Sequence, residues 1–193
     1  EVARIREALA AGLTALGENR VQEARAKIAE LGRPVGWHLV GQLQTNKAKD
    51  AVELFDVIHS LDRLELAQEL HKRARQRGRP VEVLVQVNLA GEAQKGGVTP
   101  EGFGALLDAV AGLDHVRVRG LMAIPPETPD PEDSRVWFRT LRKLGERVAL
   151  PELSLGMSGD FEVAIEEGAT MVRVGTAIFG ARPPRPGKEP GER

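Results

Sequence analysis

Two short stretches near the C-terminus combine hydroxyls, glycines and one cation in a way that suits an anion. The first is Met157-Ser158-Gly159-Asp160 and the second is Arg173-Val174-Gly175-Thr176. Ser158 and Thr176 offer hydroxyl donors, while Gly159 and Gly175 let backbone N–H groups approach an anion closely. Each stretch opens toward a helix or turn whose first amides also attract negative charge. Taken singly, either one reads equally well as a turn with a capping serine. Arg173 adds a sharper signal. Alternation along a strand puts Met171, Arg173 and Gly175 on one face and Val172 and Val174 on the other. The valines suit a helix-packed face, so Arg173 is expected to point inward. A guanidinium there needs an acceptor, either a structural glutamate or a ligand.

Other chemistries are narrowed by composition. The sequence has no cysteine and no tyrosine, which removes thiolate nucleophiles, cysteine-held metals and phenol acid–base groups. Its four histidines are scattered without a pair of the HExxH kind, and no metal site is expected. His38 reads as a satisfied strand histidine that could line a pocket, and His59, His71 and His115 as strand-end or surface residues. With 27 Lys+Arg against 28 Asp+Glu, the net charge of −1 speaks against a nucleic-acid partner. No apolar run approaches the roughly 20 residues that cross a bilayer. The first residues, EVARIREALAAG, do not form a signal peptide. A cytoplasmic protein with no membrane partner is the expectation.

The elements that must position these residues follow from two periods. Helical spacing is read at 1–11, 21–31, 45–54, 62–78, 100–110, in a segment opened by Asp130-Pro131, and at 161–167. Asp62 and Glu65 read as a capping box, and Thr99-Pro100 as an N-cap followed by proline. In the helix after Pro131, Trp137, Leu141, Leu144 and Val148 are expected inward. Extended segments are read at 13–16, 37–41, 55–60, 81–88, 116–122, 152–157 and 170–174. The loop 91–97 is either a mobile rim or a plain connection. The proline-rich, charged tail is expected to be disordered.

Seven strands alternating with helices imply parallel pairing and an α/β class. A doubly wound sheet would carry a GxGxxG turn after a strand, which is missing. A (β/α)₈ TIM-type barrel, apparently lacking its first strand in this chain, fits better. Such barrels collect function at the C-terminal strand ends and often hold phosphate in the loops after strands seven and eight. Both anion-suited stretches fall there.

A resemblance sharpens this. GENRVQEA at 17–24, WHLVGQLQTNK at 37–47, HSLD at 59–62, VLVQVNLAGEAQKGGV at 83–98, RGLMAIPP at 119–126 and LSLGMSGDFEVAIEEGATMVRVGTAIFGAR at 153–182 follow one another as successive signatures of one family. Over residues 1–182 the chain resembles the pyridoxal phosphate homeostasis proteins of the YggS/PROSC type. The resemblance implies a barrel similar to the alanine racemase N-terminal domain, with one cofactor-binding domain over 1–182 and a tail over 183–193. It implies pyridoxal 5′-phosphate as the cofactor. Ser158, Gly159, Gly175 and Thr176 match the phosphate-binding positions, Arg173 matches the arginine beside the pyridine nitrogen, and Asn19 is a further contact. It also implies a monomeric, non-catalytic carrier or regulator, with apo forms of pyridoxal-phosphate enzymes as recipients. Family members hold the cofactor as a Schiff base on a lysine of an AVSK-like motif at the end of the first strand. None of the seven lysines here matches that motif. A racemase-like enzyme, or another barrel enzyme with a phosphate substrate, is the alternative.

Overall fold

Residues 2–92 and 94–180 are described by the structure, a computed structural model; the tail expected at 183–193 lies outside them. The chain runs α1 (Val2–Ala10), β1 (Ala15–Glu18), α2 (Val21–Leu31), β2 (Gly36–Leu39), α3 (Ala48–Leu54), β3 (Val57–Leu61), α4 (Leu64–Arg77) and β4 (Val81–Gln86). It continues through α5 (Pro100–Val110), β5 (Val116–Met122), α6 (Arg135–Arg147), β6 (Glu152–Met157), α7 (Phe161–Glu166), β7 (Met171–Arg173) and α8 (Thr176–Phe179). Single 3-10 turns, Thr45–Lys47 and Pro131–Ser134, lead into α3 and α6.

The seven strands form one sheet in the order β1 to β7, and every strand pair is parallel. The sheet curls into a nearly closed barrel with helices outside. Arg4 of α1 donates to the carbonyl of Phe179 in α8 at 2.5 Å, tying the two ends of the array together. Strand alternation divides the apolar residues between two cores. Val81, Val83 and Val85 of β4 join the helix-facing core, which also holds Trp37, Leu39, Phe55, Phe103 and Phe138. Leu84 turns the other way and packs inside the barrel with Val57 and Met122, against Ile124 and Met171.

Local signals were met unevenly. Thr99 caps α5 as expected, its hydroxyl accepting from Gly102 N at 3.2 Å. The capping box at α4 does not form. Asp62 instead takes a 2.6 Å bond from Arg63 Nη1, and Arg63 Nη2 reaches on to Leu43 O and Thr45 Oγ1. The buried stripe of α6 is Phe138, Leu141 and Gly145, with Trp137 half-buried and Val148 exposed. The 3-10 turn before this helix winds at three residues per turn and changes its phase relative to a helix begun at Pro131. Val172 is exposed rather than helix-packed, in keeping with its place on the last strand of the array. Among the described residues, no helix is long and apolar enough to cross a membrane.

Candidate functional site

The loop after β6 is shaped by Gly156 and Asp160. Gly156 has φ 83°, and a Cβ there would stand 2.6 Å from Ala164 Cβ, so only glycine lets α7 pack on the strand end. Asp160 then closes the turn. Its Oδ1 accepts from Met157 N at 2.7 Å, and its own N–H donates to Met157 O at 3.1 Å. Ser158 and Gly159 are left at the tip.

Ser158 reaches across to the next loop. Its Oγ accepts from Gly175 N at 3.2 Å and from Ala177 N at 3.3 Å, so one hydroxyl joins the loops after β6 and β7. Nothing lies within 4 Å of where a Cβ would stand at Gly159 or Gly175, and both backbones border open space. Thr176 is exposed at the first position of α8. That helix is a single turn, so it offers a few first-turn amides rather than a developed macrodipole.

Arg173 points into the barrel, as alternation predicts, and the acceptors it meets are neutral oxygens rather than a glutamate. Nη1 donates to Ser154 O at 2.8 Å and Ser154 Oγ at 2.7 Å, and Nη2 donates to Ala123 O at 2.8 Å. Desolvation brings its pKa down to about 10, against the pull of Asp160. Three of a guanidinium's five N–H groups are thus occupied by neutral oxygens, and two remain.

Behind Arg173 runs a chain of polar contacts that the sequence did not reveal. Ser154 Oγ is 3.0 Å from His59 Nδ1, and His59 Nε2 is 2.9 Å from His38 Nδ1. A guanidinium can only donate, so Ser154 accepts from Arg173 and has its own proton to give to His59. In the tautomer that receives the serine proton, His59 Nε2–H donates to His38 Nδ1. His59 is not at the surface, as expected from sequence, but 2% exposed. Burial first, then the neighbouring His38 and Arg173, pushes its pKa down to about 3. Burial also lowers His38, against the opposing effect of Asp56. Strand parity was the available signal, since His59 alternates with the helix-facing Ile58, and Ser154 with Leu153 and Leu155. Nearer the N-terminal ends of β4 and β6, Arg119 bridges Glu82 and Glu152.

Asn19 lies just beyond β1, exposed, and makes no hydrogen bond to either loop among the described residues. Gly41 packs against its backbone, since a Cβ at Gly41 would fall 2.2 Å from Asn19 O. The described residues of the loop 91–97 are fastened to their surroundings. Asn88 Nδ2 donates to Glu92 O and Lys95 O, Gln86 Nε2 donates to Gly96 O, and Lys95 Nζ donates to Pro125 O at 3.0 Å. Two surface hollows lie away from these loops. One of about 240 Å³ is lined by Leu107, Val110, Val118 and Leu150, and one of about 460 Å³ by His71, Lys72, Arg75 and Gln76.

Known proteins share this architecture and sequence. The family profile described as "Alanine racemase, N-terminal domain" matches residues 1–183. The pyridoxal phosphate homeostasis protein of Aquifex aeolicus (strain VF5) is 50% identical over 185 residues, covering 92% of this chain and 81% of that protein. Its counterpart from Escherichia coli (strain K12) is 43% identical over 190 residues, covering 92% and 80%. The structure of PipY from Synechococcus elongatus PCC7942 with pyridoxal phosphate bound superposes with a TM-score of 0.85 at 44% identity, covering 93% of this chain and 87% of PipY. Alanine racemase of Clostridium difficile 630 shares the fold, with a TM-score of 0.76 at 14% identity over 95% of this chain and 49% of the racemase. With its parallel barrel and this level of identity over nearly its whole length, the chain belongs to the alanine racemase N-terminal domain family and, within it, to the pyridoxal phosphate homeostasis proteins.

Proposed function

We propose that the chain binds pyridoxal 5′-phosphate at the C-terminal strand ends and acts as a non-catalytic carrier or regulator of that cofactor. The observation that carries this reading is the meeting of two backbone amides, Gly175 N and Ala177 N, on the Ser158 hydroxyl, with the loops of Gly159 and Gly175 open beside it. Amides gathered on one oxygen are the donor set a phosphate needs. Ser158, Gly159, Gly175 and Thr176 would hold the phosphate, Arg173 would face the ring nitrogen, and Asn19 would approach from the end of β1.

Bound pyridoxal phosphate supplies an electron sink for amino-acid chemistry, strongest where a carboxylate keeps its ring nitrogen protonated. Arg173 supplies the opposite environment. It is a donor with no carboxylate bonded to it, and with a pKa of about 10 it holds its own protons at neutral pH. This sequence also has no tyrosine to serve as an acid–base group on a second face. Storage and delivery fit these residues better than racemisation. In this reading residues 1–182 form one domain that acts as a cytoplasmic monomer and passes its cargo to apo pyridoxal-phosphate enzymes.

Equilibrium dialysis of the chain against pyridoxal phosphate and against pyridoxal tests the site. The phosphorylated form is expected to bind at least about tenfold more tightly, with the preference lost in Ser158→Ala combined with Thr176→Val. Equal affinity for the two forms, or a preference untouched by these substitutions, overturns the placement. Sustained conversion of L- to D-amino acids by the cofactor-loaded chain would overturn the non-catalytic role.

A further inference from the structure

The sequence holds four histidines, and folding sorts them into two pairs. His38 and His59 belong to the barrel interior. His71 and His115, separated by 44 positions, meet on the opposite side of the helix-facing core, where α4 passes the turn leading into β5. Their rings stand edge to face with centroids 5.4 Å apart. Asp114 completes the group, with Oδ1 4.0 Å from Nδ1 of each histidine. One ligand atom from each of the three residues lies within 4.8 Å of the other two.

We propose that His71, Asp114 and His115 form a surface site for a borderline divalent transition ion such as zinc. Three features carry this. First, His71 Nδ1 faces the group and its one lone pair is engaged only by a long 3.4 Å bond from His115 N, which a metal would replace. Accepting that bond leaves Nδ1 unprotonated, with the ring proton on Nε2, which is the form that binds a metal once the bond is given up. Second, His115 Nδ1 is buried and has no hydrogen-bond partner, so the group contains a polar atom whose desolvation nothing in the protein offsets. Third, the scaffold on the histidine side is fixed while the carboxylate side is free. His115 O accepts from Val81 N at 3.0 Å, which holds the turn to β4, and the Asp114 side chain is 84% exposed.

Bonds of about 2.0–2.1 Å to nitrogen and oxygen in a tetrahedral site imply ligand separations near 3.3 Å. The group must therefore draw in by roughly 1 Å: rotation of Asp114 about its side-chain bonds brings in the carboxylate, and the two imidazoles close on each other as the bond from His115 N gives way. Two imidazoles and one carboxylate favour zinc, nickel or cobalt over magnesium or calcium, which take oxygen ligands. Three protein ligands leave the outer coordination positions to water. A bound ion would clamp α4 to the turn before β5, on a face that the cofactor reading does not use.

The test uses the untagged 193-residue chain, stripped with chelator and titrated calorimetrically with zinc chloride, with magnesium chloride as comparison. One zinc per chain in the micromolar range is expected, with no magnesium heat. His71→Ala and His115→Ala should each weaken it at least about tenfold, and Asp114→Asn by less. Cobalt provides a second measurement that needs no variant. It should broaden the ring-proton resonances of His71 and His115 and spare those of His38 and His59. Absence of saturable zinc binding, zinc binding that survives the double substitution, or broadening centred on His38 and His59 overturns the assignment.

Discussion

Ser154 and His59, 95 positions apart in the chain, meet at 3.0 Å inside the barrel, and the same serine oxygen holds Arg173 Nη1 at 2.7 Å. Ser154 is fully buried. One hydroxyl therefore orients Arg173 and satisfies a histidine that is only 2% exposed.

Removing that hydroxyl should be felt twice. Ser154→Ala leaves His59 Nδ1 without a partner and takes one of two acceptors from Arg173 Nη1. We expect a loss of about 1–3 kcal/mol in urea unfolding, since a buried polar atom left unpaired costs its desolvation. A change under 0.5 kcal/mol would show that the chain of contacts contributes nothing.

His59 also sets the acid response. Its pKa lies near 3 in the fold against 6.5 for the free side chain, so between those values the unfolded chain takes up a proton that the folded chain refuses. Stability should be fully present above about pH 6.5 and fall as pH drops toward 3, by at most about 1.4 kcal/mol per pH unit from this group. His59→Gln should flatten that limb by one proton. Unfolding free energies measured at pH 7, 5.5 and 4.5 for both proteins decide the point.

A second acid-sensitive group sits outside the barrel. The buried Glu167 carboxylate accepts from Arg139 and Arg135, and these bonds hold its pKa at about 2. Its contribution is present above about pH 4.5 and is lost as pH falls toward 2. Glu167→Gln should therefore lower stability at neutral pH, by a margin that narrows steadily as pH falls from 4.5 toward 2, which acid titration of the two proteins would reveal.

Two glycines should respond in opposite directions to alanine. Gly104 lies inside α5 with nothing within 4 Å of a new Cβ, and Gly104→Ala should stabilise by about 0.5–1 kcal/mol. Gly41→Ala would press on Asn19 O and should destabilise by about 1–3 kcal/mol. Thermal melts of both variants check the pair, and a stabilised Gly41→Ala would refute the close approach.

Much of the scaffold was legible because its signals are local and repeated. The valines at 81, 83 and 85, the capped start of α5 and the regular alternation of periods lead directly to a parallel barrel. Inward placement of Arg173 also followed from alternation alone. What could not be read were contacts that depend on the angular position of strands around the barrel. His59, Ser154 and His38 lie on three different strands, and no spacing in the chain relates them. The same holds for His71 and His115. Asp62 shows the converse failure, a correct local pattern overruled because Arg63 offered a stronger, charged partner.

The double acceptance by Ser158 has a consequence for how a guest would leave. In the proposed site, a phosphate oxygen taking the amides of Gly175 and Ala177 displaces the hydroxyl that holds them now. When the guest departs, the hydroxyl returns and no N–H is stranded. Capture and release are then a swap of one oxygen for another, between two states that are each complete. A vessel of this kind does not have to collapse or distort in order to empty, which suits the carrier role proposed above.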